Sequence, residues 1–136
     1  MGGKLSADSD PVVAAAVDAR SNAYAPYSGF AVGAAVETED GRIFTGANVE
    51  NASYGLTNCA ERAAIGAAVA AGARRFTRVV VVTDSSPPAA PCGACRQVMS
   101  EFGGDPIVEA RGPEGSMRWR LSELLPSAFG REDLDQ

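Results

Sequence analysis

Residues 48–65, NVENASYGLTNCAERAAI, and residues 91–99, PCGACRQVM, contain all three cysteines of the chain, Cys59, Cys92 and Cys95. A carboxylate, Glu61, stands two positions after the first. Three thiolates form a soft ligand set that suits zinc, an ion that prefers four ligands in a tetrahedron. The chain has no histidine, so the fourth position falls to water or to a carboxylate. Three protein ligands with one open position is the arrangement of a catalytic metal, whereas closed structural sites use four. Cys-x-x-Cys alone also occurs in redox pairs and ribbon knuckles. Pro91 ahead of it, the remote Cys59-Ala60-Glu61 and the upstream Asn48-Val49-Glu50 make the pattern much more specific.

Outward from these segments the elements follow. Asn58 can cap a helix that puts Cys59 in its first turn and runs to about Gly72, and residues 92–102 form another helix that begins at a cysteine and ends at Gly103-Gly104. The free amides and positive dipole end of a helix N-terminus favour a thiolate, so two such ends are expected to converge on one ion. Residues 30–38 read as a buried strand, with Asp40-Gly41 as the hairpin turn into residues 42–49. The run TRVVVVT at 77–83 reads as a central, fully buried strand. Residues 106–111 and 117–121 make two short closing strands around Gly112-Pro113-Glu114-Gly115, and residues 121–125 add a helical turn. At the front, Asp10-Pro11 opens an alanine-rich helix through Ala25, with Val13, Ala16, Val17 and Tyr24 on one face, and Pro26 stops it. The fold class is therefore α/β, a three-layer α/β/α sandwich around a mixed sheet of about five strands.

With 136 residues and 46% hydrophobic content, the chain is expected to form one domain over residues 1–136, with flexible ends at 1–9 and 131–136. Twelve Lys plus Arg against seventeen Asp plus Glu gives −5, which argues against a nucleic acid polymer as partner. No segment approaches the roughly 20 apolar residues needed to span a bilayer, and residues 1–10 lack the basic start and apolar run of a signal peptide. A soluble cytoplasmic protein is expected, where an odd number of cysteines stays reduced and available to metal. The proline-rich SSPPAAP at 85–91 reads as a loop within the domain, because the metal ligands straddle it.

The stretches AYAPYSGFAVGAAV at 23–36, DGRIFTGANVENASYGLTNCAER at 40–62, PCGACRQVMSEFG at 91–103 and LLPSAF at 124–129 resemble the small zinc-dependent cytidine deaminases that act on free nucleosides. The resemblance spans nearly everything from Ala23 to Phe129. It implies the cytidine deaminase-like fold and hydrolysis of cytidine and deoxycytidine to uridine and deoxyuridine plus ammonia, in pyrimidine salvage. It implies one zinc per subunit on Cys59, Cys92 and Cys95, activated water attacking C4, and Glu61 as proton shuttle. Asn48 and Glu50 would then bind ribose hydroxyls, Phe30 would flank the base, Ala60 would line the substrate site and the Ala90 carbonyl would accept from the leaving amine. Arg62 would hydrogen-bond the ligand sulfurs and balance their charge. Tyr54 and Phe129 would sit at subunit boundaries of a homotetramer with shared active sites.

Each assignment has a plainer alternative. Glu61 can simply complement a helix dipole, Arg62 can lie on a solvated helix face, Asn48 can close a turn and Glu50 be solvated, and Phe30 can be core. Arg74, Arg75 and Arg78 read as a solvated basic group at a helix end. Two other functions compete: a related zinc deaminase of another small aminopyrimidine nucleoside, and a non-catalytic zinc module whose fourth ligand is a carboxylate such as Glu61.

Overall fold

The structure, a computed structural model, describes residues 9–134. The flexible ends expected at 1–9 and 131–136 fall, at residues 1–8 and 135–136, outside the described residues. Within the expected C-terminal tail, Arg131–Asp133 forms a turn of 3-10 helix, and the Gly130 amide donates to the Asp133 carboxylate at 2.8 Å.

Asp10 starts the first helix as its sequence position suggests. Its side chain accepts from the amides of Val12 and Val13, and Pro11 occupies the first turn, where it loses no helical hydrogen bond. This helix, α1 (Pro11–Arg20), is shorter than expected. Ser21 caps it and its hydroxyl bonds the Asp18 carbonyl at 2.6 Å, a side-chain competition with the backbone that ends helices. Tyr24 consequently leaves the helix and stays 55% exposed, instead of joining the core face formed by Val12, Val13 and Ala16.

The chain continues through β1 (Gly33–Thr38), β2 (Ile43–Ala47), α2 (Ala60–Ala70), β3 (Phe76–Val82), α3 (Gly93–Ser100), β4 (Ile107–Gly112), β5 (Gly115–Arg120) and the short α4 (Leu121–Leu124). The five strands form one sheet in the order β2-β1-β3-β4-β5. Only β3 and β4 run parallel; the other neighbours are antiparallel, so the sheet is mixed. As its valine run suggests, β3 is central and almost wholly buried. One face of the sheet packs α1 through Ala35, Val80 and Val82. The other packs α2 and α3 through Ala34, Val36, Ile65, Met99 and Val108. The α/β/α sandwich is thereby realised. Among the described residues no helix is long and apolar enough to cross a membrane.

One buried charge was not foreseen. Glu109, on β4, is 1% exposed and accepts from Arg78 at 2.8 Å, Arg111 at 2.5 Å and Arg118 at 3.0 Å. Burial raises its pKa, but the hydrogen bonds from the three arginines outweigh it and hold the carboxyl below its usual range. Arg78 also reaches Asp10 at 2.6 Å. It therefore belongs to this partly buried network and not to the solvated basic group expected from its sequence position. Arg74 and Arg75 do stand at helix ends, donating to the carbonyls of Val69, in the last turn of α2, and of Phe102, just past α3.

Two glycines set the distance between layers. A Cβ on Gly33 would collide with the Ala16 carbonyl of α1, and one on Gly46 would lie 2.5 Å from the Ala64 amide of α2 and collide with the Ala60 carbonyl. Their role is close packing, with no phosphate loop involved. Gly46→Ala is expected to force α2 off β2, lowering stability by about 1–3 kcal/mol and loosening the metal site at the start of that helix. Gly66→Ala, on a helical position where nothing lies within 4 Å of the new Cβ, should instead stabilise by about 0.5–1 kcal/mol. Calorimetry and zinc content of the two variants check this opposition.

Candidate active site

The sulfurs of Cys59, Cys92 and Cys95 lie within 4.8 Å of one another, although Cys59 is 33 and 36 positions from the other two. Two helix ends bring them together. Cys59 is the N-cap of α2 and Cys92 the N-cap of α3, one position earlier than expected for Cys59, with Asn58 preceding the cap. Cys95 is in the first turn of α3 and fully buried. Neither cap sulfur hydrogen-bonds the amides of its helix, but both stand at the positive dipole end, which favours an anion. Arg96 secures the loop before α3, its Nε donating to the Pro91 carbonyl at 2.8 Å and its Nη1 to the Leu124 carbonyl at 2.9 Å.

The electrostatics of the cluster call for a cation. The Cys59 thiol is lowered to about 5, chiefly by a hydrogen bond from Cys95 and then by Arg62, while Cys95 is pushed up by its bond to Cys59 and by burial. One sulfur is ionised at the expense of its neighbour. Three adjacent thiolates need a multivalent cation in place of the shared proton, and a soft three-sulfur donor set with no histidine suits zinc. Arg62 donates from Nη2 to the Cys59 sulfur at 3.2 Å, and its buried Nε has no partner. The side chain is thus committed to the sulfur cluster and not to solvent.

Glu61 occupies the first turn of α2, is 5% exposed, and shares with Cys59, Ala60 and Cys92 the lining of a cavity of about 240 Å³. Burial raises its pKa, and the neighbouring Cys59 charge adds to the shift. Phe30, Asn48 and Ala90 line the same cavity. An adjoining cavity of about 410 Å³ contains Glu50 and Tyr54, and Thr57 lines both. Phe129 is not brought to this site within the chain. It lies 59% exposed in a separate surface cavity near Phe102, where its carbonyl accepts from the Gln97 amide at 2.9 Å.

Asn48 has a second job. Its side-chain oxygen accepts from the Val32 amide at 2.9 Å and its nitrogen donates to the Phe30 carbonyl at 2.8 Å. These bonds replace strand pairing over residues 30–32, which is why β1 begins at Gly33 and not at Phe30. An amide has two donors and two acceptor positions, so each end of Asn48 keeps one towards the cavity. Sequence reasoning missed Ser28, Thr57 and Thr83 as lining residues. Ser28 follows the proline expected to stop the first helix, and a small hydroxyl residue there carries no spacing signal.

Residues 7–110 match the family described as the cytidine and deoxycytidylate deaminase zinc-binding region. The chain is 48% identical over 130 residues to a cytidine deaminase of Halalkalibacterium halodurans, covering 94% of this chain and 98% of that protein. It is 46% identical over 129 residues to one of Sporosarcina psychrophila, covering 93% and 95%. The crystal structure of cytidine deaminase from Burkholderia pseudomallei superposes with a TM-score of 0.85 at 50% identity, covering 90% of this chain and all of that one. That of Mycobacterium tuberculosis gives 0.78 at 44%, covering 92% and 99%.

If the three sulfurs hold one ion, Cys92→Ser should purify with well under one zinc per chain under conditions where the parent protein retains one. Elemental analysis after dialysis against a weak chelator reads this directly; undiminished zinc would remove Cys92 from the ligand set.

Proposed function

The chain belongs to the cytidine and deoxycytidylate deaminase zinc-binding family, and from that premise we propose that it hydrolyses cytidine and deoxycytidine to uridine and deoxyuridine with release of ammonia. The observation that carries this is a buried carboxylate, Glu61, lining one cavity with Cys59 and Cys92, two members of a three-sulfur cluster. Zinc held by Cys59, Cys92 and Cys95 supplies a Lewis acid that makes water nucleophilic near neutral pH. Arg62 and the two helix N-termini offset the negative charge of three sulfurs, which would otherwise weaken that acidity.

The carboxyl of Glu61 moves the protons. It takes one from the attacking water and gives it to ring N3, then takes the proton of the hydroxyl now on C4 and delivers it to the amine, so that C4=O forms as the C–N bond breaks and ammonia leaves. Its pKa, raised chiefly by burial, suits a carboxyl that must hold a proton as well as release one. Phe30 flanks the base, the Ala60 segment lines its pocket, and the Ala90 carbonyl accepts from the amine. Glu50 and the free valences of Asn48 take the ribose hydroxyls. Tyr54, 75% exposed, and Phe129 suit contact with neighbouring subunits of a homotetramer whose sites are shared. A role in cytoplasmic pyrimidine salvage, with residues 1–136 acting as one deaminase domain, is the cellular setting proposed. A purely structural zinc module is disfavoured because Glu61 lies in an open substrate-sized cavity.

Purified protein should convert cytidine to uridine, seen as loss of the cytidine absorbance, and Glu61→Gln should keep its zinc while losing about 10²–10⁴-fold in kcat, the range of a general acid and base. Equal rates for the two would remove Glu61 from the chemistry. Gel filtration should return a mass near four chains. A fully active monomer would refute shared sites and the assignments of Tyr54 and Phe129.

A further inference from the structure

The carboxylate of Glu50 is held on one side by a nine-residue strap, residues 24–32, that crosses from the end of α1 to β1. The strap is stitched to residues 48–50 at both ends. Tyr24 donates to the Asn48 carbonyl and accepts from the Glu50 amide, each at 2.9 Å, and the Asn48 side chain grips Phe30 and Val32 at the other end. Between these anchors Ser28 makes two of the three links to the Glu50 carboxylate, while Arg20 ties the strap to α1 through the Ala31 carbonyl at 3.0 Å. The Ser28 amide and that of Tyr27 donate to Glu50 Oε1 at 3.1 and 2.9 Å, and the Ser28 hydroxyl bonds Glu50 Oε2. The Phe30 amide donates to the same hydroxyl oxygen at 2.9 Å.

The direction of these bonds is forced by chemistry. An ionised carboxylate only accepts and a backbone amide only donates, so the Ser28 hydroxyl must give its one proton to Glu50 and receive from Phe30. Gly29, at φ +70°, makes the reversal that returns the Phe30 amide onto Ser28. The hydroxyl bond also holds the Glu50 carboxyl below its usual range, together with the two amides. Three acceptor positions of the carboxylate are filled from the strap, and a carboxylate has about four. One remains for a sugar hydroxyl, and its direction depends on how the other three are held.

We propose that Ser28 is a positioning residue, its hydroxyl setting at once the orientation of the Glu50 carboxylate towards the sugar and the place of the Phe30 ring beside the base. This rests on the nucleoside deaminase reading. Removing the hydroxyl leaves the two amide bonds on Oε1 but frees Oε2 to swing, and strips the Phe30 amide of its acceptor. Ligand orientation suffers, while the sulfur cluster and Glu61, on different elements, are untouched.

The test compares Ser28→Ala and Ser28→Thr with the parent on cytidine and 2′,3′-dideoxycytidine. Ser28→Ala should raise KM for cytidine about tenfold, the scale of one hydrogen bond to a charged group, with kcat within about threefold and zinc content and melting temperature unchanged. Ser28→Thr, which keeps the hydroxyl, should recover most of that loss. The penalty should shrink on dideoxycytidine, which has no hydroxyl for Glu50 to accept. On the same substrate it should vanish in a Phe30→Ala background. An equal penalty on both substrates, an unchanged KM, or loss of zinc or of the melting transition in Ser28→Ala would each overturn the proposal, the last by assigning the hydroxyl to folding. A parent protein without cytidine turnover would instead refute the functional reading itself.

Discussion

Three sulfurs that cannot all be ionised without a cation are the constraint on which the rest of this molecule depends. Their closeness, within 4.8 Å, is maintained by two helix N-termini whose positive dipole ends favour thiolates and by Arg62, which donates to one of the sulfurs. Cys95 belongs to the apolar core on the α2 and α3 face of the sheet, and Cys59 packs against it. What brings them together is the central position of β3, which places the loop after it, and so the start of α3, beside the start of α2. The small residues of α2 and the missing side chain of Gly46 let that helix sit hard against β2, so the cap of α2 has little freedom.

The two faces of the sheet divide the labour. The α2 and α3 face carries the apolar core and the chemistry. On the α1 face, valine and alanine packing gives way over β4 to a buried carboxylate surrounded by arginines. A buried ion pair of this kind is a weak source of net stability compared with apolar packing, but breaking one side of it is costly. It therefore ties α1, through Asp10 and Arg78, to the parallel pair β3 and β4.

Substrate recognition is built differently from the metal cluster. The cluster stands on helix ends, whereas Asn48 and Glu50 extend beyond β2 and hold a strap that itself carries Phe30. The residues that would touch the sugar are also those that shape the loop touching the base. Under the proposed reading, changes at Glu50 or Asn48 would be felt at both ends of a nucleoside, because the same bonds hold the loop that carries Phe30.

The three-cysteine cluster, the cap of α1, the start of α3 at Cys92, the central valine strand and the α/β class were all legible in the sequence. Each is written in local chemistry: cysteine count and spacing, Asp-Pro before an apolar run, β-branched residues between turn signals. The early end of α1 comes from a local bond, Ser21 to the Asp18 carbonyl, whereas the burial of Glu109, the capture of Arg78, the grip of Ser28 on Glu50 and the distance of Phe129 from its own chain's site belong to tertiary structure. The tertiary contacts join side chains or loops up to 68 positions apart, as Asp10 and Arg78 are, and neither periodicity nor propensity records which distant partner a polar group will find. The residue types thus announce the chemistry, but only the folded chain decides which of them hold one another in place.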